Sequence, residues 1–495
     1  MIKKFYITTT LPYVNADPHI GFALEIIQAD ILARYHKSLG EDVFFNTGVD
    51  EHGLKIYRKA QESKLDPQAY CDIYAKKFDD LKRALNLSYN NFIRTTDPHH
   101  VKAVQEFWKR CLKNGDIYKK NYKVKYCVGC ELEKTESELV GGKCLIHPNL
   151  ELEIIEEENY FFKYSKYQKQ LLDLYNKNPG FVVPESKLNE IKEFTKKGLE
   201  DFSISRLKEK MPWGVPVPDD DKHVMYVWFD ALGNYISCLG WPENQKKFKD
   251  FWPGLQVAGK DNLRQQSSMW QAMLMSAGLP NSKQVFIHGF ITANGQKMSK
   301  SLGNVINPFD LVKKYSSASS PQAGTDAVRY YLLREILPTE DGDFTYEKFE
   351  QRYNSDLAGG IGNLVARTLG ISKSIELIES KPTKKVDYKI KEAQKKYKEA
   401  VESFKFNDAL ASIWEIISFC DKYINEEKLW ETKKPEVISD LFSAIKEIGI
   451  LLEPFLPETA EKIKKAVETQ KSRPEGARLA RPSGVAAENL FPRLV

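Results

Sequence analysis

Apolar residues at the start of the chain, from Phe5 to Ile7, predict a short β-strand. A turn rich in Pro, Asn and Asp follows, and beyond Pro18 apolar positions recur at helical spacing until Gly40, which predicts a helix. Together these elements predict a βα unit. The N-terminus of a helix presents free backbone N–H groups, and His19 at this point adds a further donor suited to a phosphate oxygen. The string is also compatible with ordinary turn chemistry.

The next apolar run predicts a second strand that ends in a polar turn containing Asp50 and His52. In an open parallel sheet, ligands bind beyond the carboxyl ends of the strands, so we expect both residues beside the first turn. A turn that merely uses capping residues would look the same. The pattern predicts that residues 54–115 are helical and pack on the sheet, and that a strand-rich insertion begins near Ile117.

Later segments complete the predicted organisation. The apolar run from Val224 to Tyr235 predicts another strand with a junction to a helix, and residues 257–264 predict a strand followed by a turn. From Asn354 onward the pattern is helical and rich in lysine, with few strand signals. We therefore expect a helix bundle in the last part of the chain.

Composition narrows the class of protein. A chain of 495 residues with 42% apolar and 28% charged residues is typical of a globular protein of three or four domains, not of a disordered or fibrous one. No apolar run approaches the length of a membrane span, and the start of the chain lacks a signal-peptide pattern, so we expect a cytoplasmic protein. The net charge of +5 permits a polyanionic partner without demonstrating one.

Cysteine spacing indicates a metal site. The chain has seven cysteines, too few for a disulfide framework at this length. Two close pairs of soft or borderline ligands suit one tetrahedral Zn²⁺, and uncoordinated buried cysteines are the alternative. A closed site with four ligands leaves no open position, so the zinc would be structural. The predicted ligands are Cys127, Cys130, Cys144 and His147.

Two separated strings resemble the paired signatures of class I aminoacyl-tRNA synthetases. They are His19-Ile20-Gly21-Phe22, where the family usually has a second histidine in place of Phe22, and Lys297-Met298-Ser299-Lys300-Ser301. Alone, the second string is equally typical of a surface loop. The resemblance implies an ATP site in which lysines neutralise charge on the α-phosphate and the departing pyrophosphate. It assigns catalysis to His19, Lys297 and Lys300, and ATP binding to His19, Gly21, Gly259, Lys260, Asp261, Lys297, Ser299 and Lys300.

Other strings are similar to elements of methionyl-tRNA synthetases. Asp-Glu-His-Gly at 50–53 resembles an element whose aspartate holds the ammonium group of the amino acid, and Tyr-Val-Trp-Phe-Asp-Ala at 226–231 resembles part of the wall around the substrate's thioether. A thioether gains roughly 0.3–1.5 kcal/mol from each aromatic contact. From composition alone, Trp228 and Tyr235 could equally be core residues. The implied methionine pocket comprises Leu11, Tyr13, Asp50, Trp228, Tyr235 and Gln266.

One pair of residues departs from this family's pattern. Gln265 and Gln266 stand where the family commonly has Phe-His. Glutamine keeps hydrogen-bonding capacity but loses the ring and any titration. We expect Gln266 to substitute for the histidine as a donor; the alternative is a different substrate.

The helical region carries three residues that match the family's anticodon-binding positions. Asn363 and Arg367 are four residues apart and so share a helix face, while Trp430 ends a long amphipathic segment from Phe406. Stacking of an unpaired base on an aromatic ring contributes about 1–3 kcal/mol. Without the resemblance, a core tryptophan and a surface arginine would explain the pattern as well.

The predicted fold class is α/β, with a Rossmann-like parallel-sheet catalytic domain, a zinc-knuckle insertion and a following α-helical bundle domain. We predict two halves of the catalytic domain, the second with the lysine-rich signature loop, flanking a connective insertion with the zinc knuckle. A stem-contact region, an anticodon-binding bundle and a terminal peptide that folds back onto the catalytic domain follow. In chain order the predicted boundaries are 1–115, 116–222, 223–307, 308–353, 354–480 and 481–495.

The resemblance implies a methionine–tRNA ligase reaction in two steps. Methionine attacks the α-phosphate of ATP, with Mg²⁺ accompanying the nucleotide, and the adenylate then passes its aminoacyl group to the terminal adenosine of tRNA(Met). We expect no membrane partner, and a monomer because no dimerising tRNA-binding domain is appended. The alternatives are another class I synthetase and a noncatalytic tRNA-binding paralogue.

Overall fold

The computed structural model describes residues 2–130, 132–134, 138–298, 303–317, 320, 322–372, 381–471 and 490–494. The chain divides into two compact units. The first comprises Met1–Asp17, Leu39–Asp80 and Tyr89–His288, and the second comprises Pro18–Ser38, Leu81–Ser88 and Gly289–Val495. Across the described residues, no helix is both long and apolar enough to cross a membrane.

A parallel sheet forms the centre of the first unit. Within the described residues it has six strands in the order β3-β2-β1-β5-β6-β4, and every paired neighbour is parallel. The strands are β1 (Lys4–Thr8), β2 (Asp42–Val49), β3 (Asn91–Arg94), β4 (Val182–Val183), β5 (Leu255–Gly259) and β6 (Gln284–His288). Their apolar residues are buried on both faces, as in other parallel sheets. The predicted parallel-sheet domain is confirmed.

An antiparallel ribbon forms the body of the insertion. Ile117–Cys127 pairs along its length with Glu153–Phe162, and Leu132–Lys134 and Phe202–Ser203 add to its two sides. Apart from β4, which belongs to the parallel sheet, the other described strands of the insertion form two further small sheets: Leu139–Val140 with Lys143–Cys144, and Ser205–Leu207, Pro216–Val217 and Asp220–Met225. The predicted strand-rich insertion is therefore present.

Helices cover the sheet and the ribbon of the first unit. Their bounds are Leu54–Glu62, Pro67–Asp79, Pro98–Lys113, Tyr164–Tyr167, Gln168–Lys177, Glu185–Lys196, Val227–Ala231, Asn234–Ser237, Gln245–Phe251, Lys260–Asn262, Gln265–Met269 and Trp270–Ser276. Side chains cap the N-termini of some of these helices. For example, the Asp66 side chain accepts hydrogen bonds from the N–H groups of Gln68 and Ala69, and Pro67 occupies the first helical position.

The second unit is mainly helical. Its helices are Ile20–Ser38, Leu81–Ala84, Pro308–Tyr315, Gln322–Arg334, Tyr346–Arg352, Tyr353–Gly362, Asn363–Ser372, Lys384–Glu402, Phe406–Glu426, Leu429–Thr432, Pro435–Leu452 and Pro457–Lys471. Two short parallel strands, Ile291–Ala293 and Gly342–Phe344, pair with each other. The predicted helical bundle after the sheet domain is confirmed.

A fully buried arginine joins distant stretches of this second unit. The Arg329 guanidinium lies 2.8 Å from the Asp30 carboxylate and donates to the carbonyl oxygens of Leu85, Pro454 and Phe455. A buried charge is tolerated only when it is paired and hydrogen-bonded. This pairing explains why residues 18–38 and 81–88 cluster with the C-terminal helices.

Three local predictions are wrong. Residues 91–94 form β3, whereas residues 54–115 were predicted to be wholly helical. The run from Val224 is a strand only as far as Met225, because Phe229 and Asp230 then donate helical bonds to the carbonyl of Tyr226. A continuous apolar run does not distinguish a buried strand from a buried helix.

The third correction concerns the segment predicted to run unbroken to Trp430. The helix ends at Glu426, and Lys428 adopts a left-handed conformation with φ of 45°. Trp430 instead lies on the short helix Leu429–Thr432.

The described end of the chain contacts other parts of the second unit. The carbonyl of Leu490 accepts a hydrogen bond from Ser320, the Phe491 ring meets the Tyr353 ring edge-on, and the N–H of Leu494 donates to Asn354. Residues 472–489 lie outside the described part of the chain. Folding of the terminal peptide onto the catalytic domain, like the predicted domain boundaries, stays a prediction.

Candidate active site and metal-binding cluster

The turn after β1 pairs with the end of β2 in the first unit. The N–H of Asp50 donates to the carbonyl of Pro12, and the N–H of Val14 donates to the carbonyl of Asp50, which forms a parallel bridge between Tyr13 and Asp50. Asp50 is only 3% exposed, and Thr95 Oγ1 lies 3.5 Å from its Oδ1. The predicted proximity of the two turns is observed, and it brings a buried carboxylate beside an aromatic residue.

Four of the predicted pocket residues pack against two neighbouring apolar clusters. Leu11 and Trp228 pack against the main core of the first unit, which includes Tyr235. Tyr13 and Trp228 pack against Tyr226 and Val227. Trp228 therefore joins Leu11, Tyr13 and the core that holds Tyr235. Its indole N–H has no partner among the described residues, although it is shielded from solvent.

Gln266 is bonded directly to this wall. Its Nε2 donates to the Tyr235 hydroxyl at 2.7 Å, and its Oε1 accepts from Gln256 at 3.1 Å. Tyr6 fixes the Tyr235 backbone by donating to its carbonyl at 2.8 Å. Gln266 thus donates to Tyr235, another of the predicted pocket residues; its substitution for the family's histidine stays a prediction.

A buried carboxylate, Asp230, lies between His52 and His100 near the predicted pocket residues, and sequence analysis assigned none of the three to this network. Asp230 Oδ2 lies 2.6 Å from His52 Nδ1, and its Oδ1 lies 2.8 Å from His100 Nε2. Burial raises the pKa of Asp230, but the two histidines outweigh this effect and lower it to about 2. The ionised carboxylate therefore anchors both the turn that carries Asp50 and the helix that carries Trp228. A lone acidic residue inside an apolar run is the signal that could have revealed it.

The end of β5 provides the remaining predicted site residues of the first unit. Gly259 is buried and ends the strand, and Lys260 and Asp261 begin the short helix Lys260–Asn262. A Cβ atom on Gly259 would lie 2.8 Å from Asp261 Oδ1, so this position requires glycine for the carboxylate to fold back. The Asp261 side chain is exposed and accepts from Asn262.

His19 lies in the second unit and contacts its own turn. The Gly21 N–H donates to His19 Nδ1 at 3.0 Å, which leaves the ring proton on Nε2. His19 is exposed at the surface, yet desolvation by the neighbouring protein atoms lowers the pKa of its imidazole. A Cβ atom on Gly21 would lie 2.8 Å from His19 Cε1. Glycine is therefore needed for the imidazole to fold over the helix N-terminus as a neutral donor.

The second signature lies partly outside the described residues. Lys297 is exposed, and its carbonyl accepts from Asn304; Ser299 and Lys300 are not among the described residues. Within the second unit the N–H of Ile20 donates to the carbonyl of Ile306 at 3.0 Å. The segment after the lysine-rich loop therefore lies beside the turn that carries His19.

The predicted anticodon residues lie on two helices of the bundle, Asn363–Ser372 and Leu429–Thr432. The Arg367 guanidinium lies 5.3 Å from the centre of the Trp430 ring and donates to Asn425 Oδ1 at 2.8 Å. Asn363 is exposed one helical turn before Arg367. Trp430 is 47% exposed, so the alternative of a core tryptophan is wrong. Sequence analysis missed Asn425, which gives no signal beyond its position on an amphipathic helix.

The three cysteines and the histidine converge as predicted. One ligand atom from each of Cys127, Cys130, Cys144 and His147 lies within 4.8 Å of all the others. The Cys130 and Cys144 sulfurs are 3.5 Å apart, and Cys127 Sγ lies 3.8 Å from His147 Nδ1. Tetrahedral zinc with Zn–S bonds of about 2.3 Å places sulfurs roughly 3.8 Å apart. The donor set and its spacing could therefore hold one metal ion.

Comparisons with known proteins identify the family. The family model described as "tRNA synthetases class I (M)" matches residues 5–145 and 129–369, and an "Anticodon-binding domain of tRNA ligase" matches residues 384–492. Over 478 residues the chain is 43% identical to the methionine–tRNA ligase of Thermotoga maritima, covering 93% of this chain and 74% of that protein. The chain belongs to the methionyl-tRNA synthetase family.

Other relatives agree with this assignment to the methionyl-tRNA synthetase family. The methionine–tRNA ligase of a Nostoc species is 42% identical, with 93% of this chain and 89% of that protein covered. The structure of Mycobacterium tuberculosis methionyl-tRNA synthetase in complex with methionyl-adenylate matches with a TM-score of 0.88 and 34% identity, covering 98% of this chain and all of that one. Members of the family are ligases that form aminoacyl-tRNA, and the alternative of another class I synthetase is thereby disfavoured.

Proposed function

We propose that the chain activates methionine with ATP to form methionyl-adenylate and then transfers the methionyl group to the 3′-terminal adenosine of tRNA(Met). The observation that carries this proposal is the buried Asp50, whose backbone forms a β-bridge with Tyr13, together with the packing of Leu11, Tyr13 and Trp228 against the clusters that hold Tyr235 and Tyr226. A carboxylate suits an ammonium group, and an aromatic wall suits a polarizable thioether.

Asp50 and Gln266 have separate roles in this proposal. The Asp50 carboxylate accepts charge-assisted bonds from the substrate ammonium, which fixes the end of the amino acid that reacts. Gln266 donates to the Tyr235 hydroxyl and so holds one side of the side-chain slot. A slot of fixed length and apolar lining disfavours amino acids that are shorter or branched.

ATP would be bound by two sets of residues. His19 with its proton on Nε2, Gly21 and the helix N-terminus would donate to phosphate oxygens, and Ser299 would also contact ATP. Lys297 and Lys300 would neutralise the charge that develops on the leaving pyrophosphate. Gly259, Lys260 and Asp261 are further proposed ATP-binding residues. Mg²⁺ would accompany the nucleotide. No protein nucleophile is required, because the methionine carboxylate attacks the α-phosphate.

We assign anticodon recognition to Asn363, Arg367 and Trp430. The support is an exposed indole with an arginine above its ring and an exposed amide one turn away. An unpaired base can stack on the indole, while the guanidinium and amide groups can read base edges. Bundle lysines would add attraction to phosphates that does not depend on sequence.

We assign the cluster of Cys127, Cys130, Cys144 and His147 to one structural Zn²⁺. The supporting observations are three thiolate donors and one imidazole at tetrahedral spacing. A Cβ atom on Gly129 would lie 2.6 Å from the His147 ring, so the glycine between two of the cysteines allows the ring to close on the turn. The ion would stabilise the knuckle without entering the reaction.

An ATP–pyrophosphate exchange panel over the twenty amino acids tests the proposal. Exchange with methionine alone is expected, and Trp228→Ala should raise the KM for methionine far more than the KM for ATP. Exchange with another amino acid would overturn the substrate. Binding of tRNA without any exchange would support the noncatalytic paralogue. Analytical ultracentrifugation tests the monomer that we also propose.

A further inference from the structure

We propose that three residues outside the pocket, Gln256, Gln271 and Ser282, act as positioning residues that set the direction of the hydrogen bond between Gln266 and Tyr235. With Gln266 they form a chain that we call the amide relay. Its members are almost completely buried, with Gln271 0%, Gln256 and Gln266 1%, and Ser282 5% exposed. Because buried amides are costly unless bonded, such a network has to be satisfied throughout.

The relay begins at a group whose direction is fixed. The backbone N–H of Ser282 can only donate, and it donates to Gln271 Oε1 at 3.1 Å. Asn281 Nδ2 lies 3.1 Å from the same oxygen. The oxygen of the Gln271 amide is therefore identified by its partners. Its Nε2 then faces Ser282 Oγ at 3.0 Å and donates to the Gln266 carbonyl at 2.8 Å.

Every later bond follows from this one. Ser282 Oγ accepts from Gln271, and among the described residues Gln256 Oε1, at 2.5 Å, is the acceptor within reach of its proton. If Gln256 presented its nitrogen here, the buried hydroxyl proton would be left unbonded, which is costly. Gln256 must then present Nε2, which donates to Gln266 Oε1 at 3.1 Å. Gln266 in turn must present Nε2 to the Tyr235 hydroxyl at 2.7 Å. A single backbone N–H thus decides that Tyr235 accepts a bond from Gln266, and the phenol proton is directed away from that amide.

The relay also explains how a glutamine can serve at this position. A lone amide next to a hydroxyl can present either its oxygen or its nitrogen, so its polarity is undefined. Gln256 removes that choice because it occupies the Gln266 oxygen. Gln256 lies on β5, and Ser282 precedes β6, so rigid sheet elements hold both residues.

The test uses Gln256→Glu, and it rests on the proposed methionine-activating function. An ionised carboxylate at position 256 cannot donate, so the Gln266 amide should turn its nitrogen toward this carboxylate and its oxygen toward Tyr235. When the introduced carboxyl group is neutral, it can donate its proton to Gln266 and still accept from Ser282, which restores the original direction. In the reversed arrangement the phenol proton of Tyr235 points at Gln266 instead of away from it. If the proposed methionine site loses one hydrogen bond as a result, the KM for methionine should change roughly fivefold.

We therefore expect the ratio of the methionine KM of Q256E to that of the wild type to be roughly five at pH 9 and to fall toward one as the pH is lowered and the introduced carboxylate is protonated. The KM for ATP should not change. Gln284→Glu is the matched control, since it lies on the adjacent strand β6 and its amide donates to Gly180, outside the relay. Its methionine KM should match that of the wild type at every pH.

Three results would overturn the inference: a Q256E ratio of one throughout, a ratio that does not change with pH, or equal changes in the KM for ATP. Should Q256E fail to fold, as judged by circular dichroism, Ser282→Ala replaces it. That variant removes the donor that orients Gln256, so an unchanged methionine KM would overturn the relay as well. The wild type is assayed first, because absence of methionine-dependent exchange in the wild type refutes the proposed function and not the relay.

Discussion

Replacement of Gly21 by alanine should remove the contribution of His19 to catalysis. A Cβ atom at this position would lie 2.8 Å from His19 Cε1 and 2.9 Å from Nδ1, closer than unbonded carbon and nitrogen atoms approach each other. The imidazole has to rotate away from the turn. It then loses the bond from the Gly21 N–H that keeps its proton on Nε2.

The magnitude follows from what the ring donates. A hydrogen bond from a neutral donor to a charged phosphate oxygen contributes about 1.5–3 kcal/mol, which corresponds to a factor of roughly 10 to 150 in kcat/KM. If the charge on the phosphate grows in the transition state, most of this loss appears in kcat. We expect Gly21→Ala to lower kcat/KM for ATP in pyrophosphate exchange by a factor in this range.

A double-mutant cycle separates this explanation from simple crowding of the nucleotide. With His19→Ala the ring is absent, so adding Gly21→Ala should cost little more, and the two single effects should be far from additive. Both variants must retain the circular dichroism spectrum of the wild type. Additive losses in the double variant would refute the reasoning, because they would mean that Gly21 acts independently of His19.

Three further outcomes are expected. Trp430→Ala should leave pyrophosphate exchange unchanged but lower kcat/KM for tRNA charging by roughly 5- to 150-fold, the equivalent of one lost stacking contact. The control is Tyr388→Ala, which removes another aromatic residue of the bundle, 65% exposed, and should charge tRNA normally. Asp326→Asn should raise the thermal midpoint at pH 8 but not at pH 4. Burial raises the pKa of Asp326 to about 6, so the native state loses about 3 kcal/mol of stability as the pH rises from roughly 4 to 6. Asparagine avoids this loss and can still accept the bond from the Thr459 N–H. An unchanged thermal midpoint at pH 8 would contradict the prediction. Chelation should release one zinc ion per chain, measured by elemental analysis, and Cys130→Ser should lower the zinc content; a metal-free protein that retains the fold of its knuckle would speak against the assignment.

Local patterns were sufficient for much of the fold. The alternation of short apolar runs and helical periodicity predicted the parallel sheet and the later bundle, because both depend on burial of one face. The spacing of Cys127, Cys130, Cys144 and His147 predicted the metal cluster for a similar reason, since each pair lies on one tight turn.

Other features depend on partners far away in the chain. Asp230 is held by His52 and His100, which are 178 and 130 residues distant, and nothing in the apolar run around it identifies them. The short strand β3 exists because β2 offers it a partner. The break before Trp430 depends on the left-handed conformation of Lys428, a residue type that gives no warning of it.

The departure at Gln266 shows the same limit in the chemistry of the site. The sequence predicts a hydrogen-bonding glutamine in place of histidine, but it does not determine whether the amide nitrogen or the amide oxygen faces Tyr235. The direction comes from Gln271 and Ser282, and ultimately from a backbone N–H that no side-chain pattern encodes. The substitution is therefore explained only together with the sheet that positions its partners. The amide behaves as a fixed donor because one arrangement of protons leaves all four buried side chains bonded.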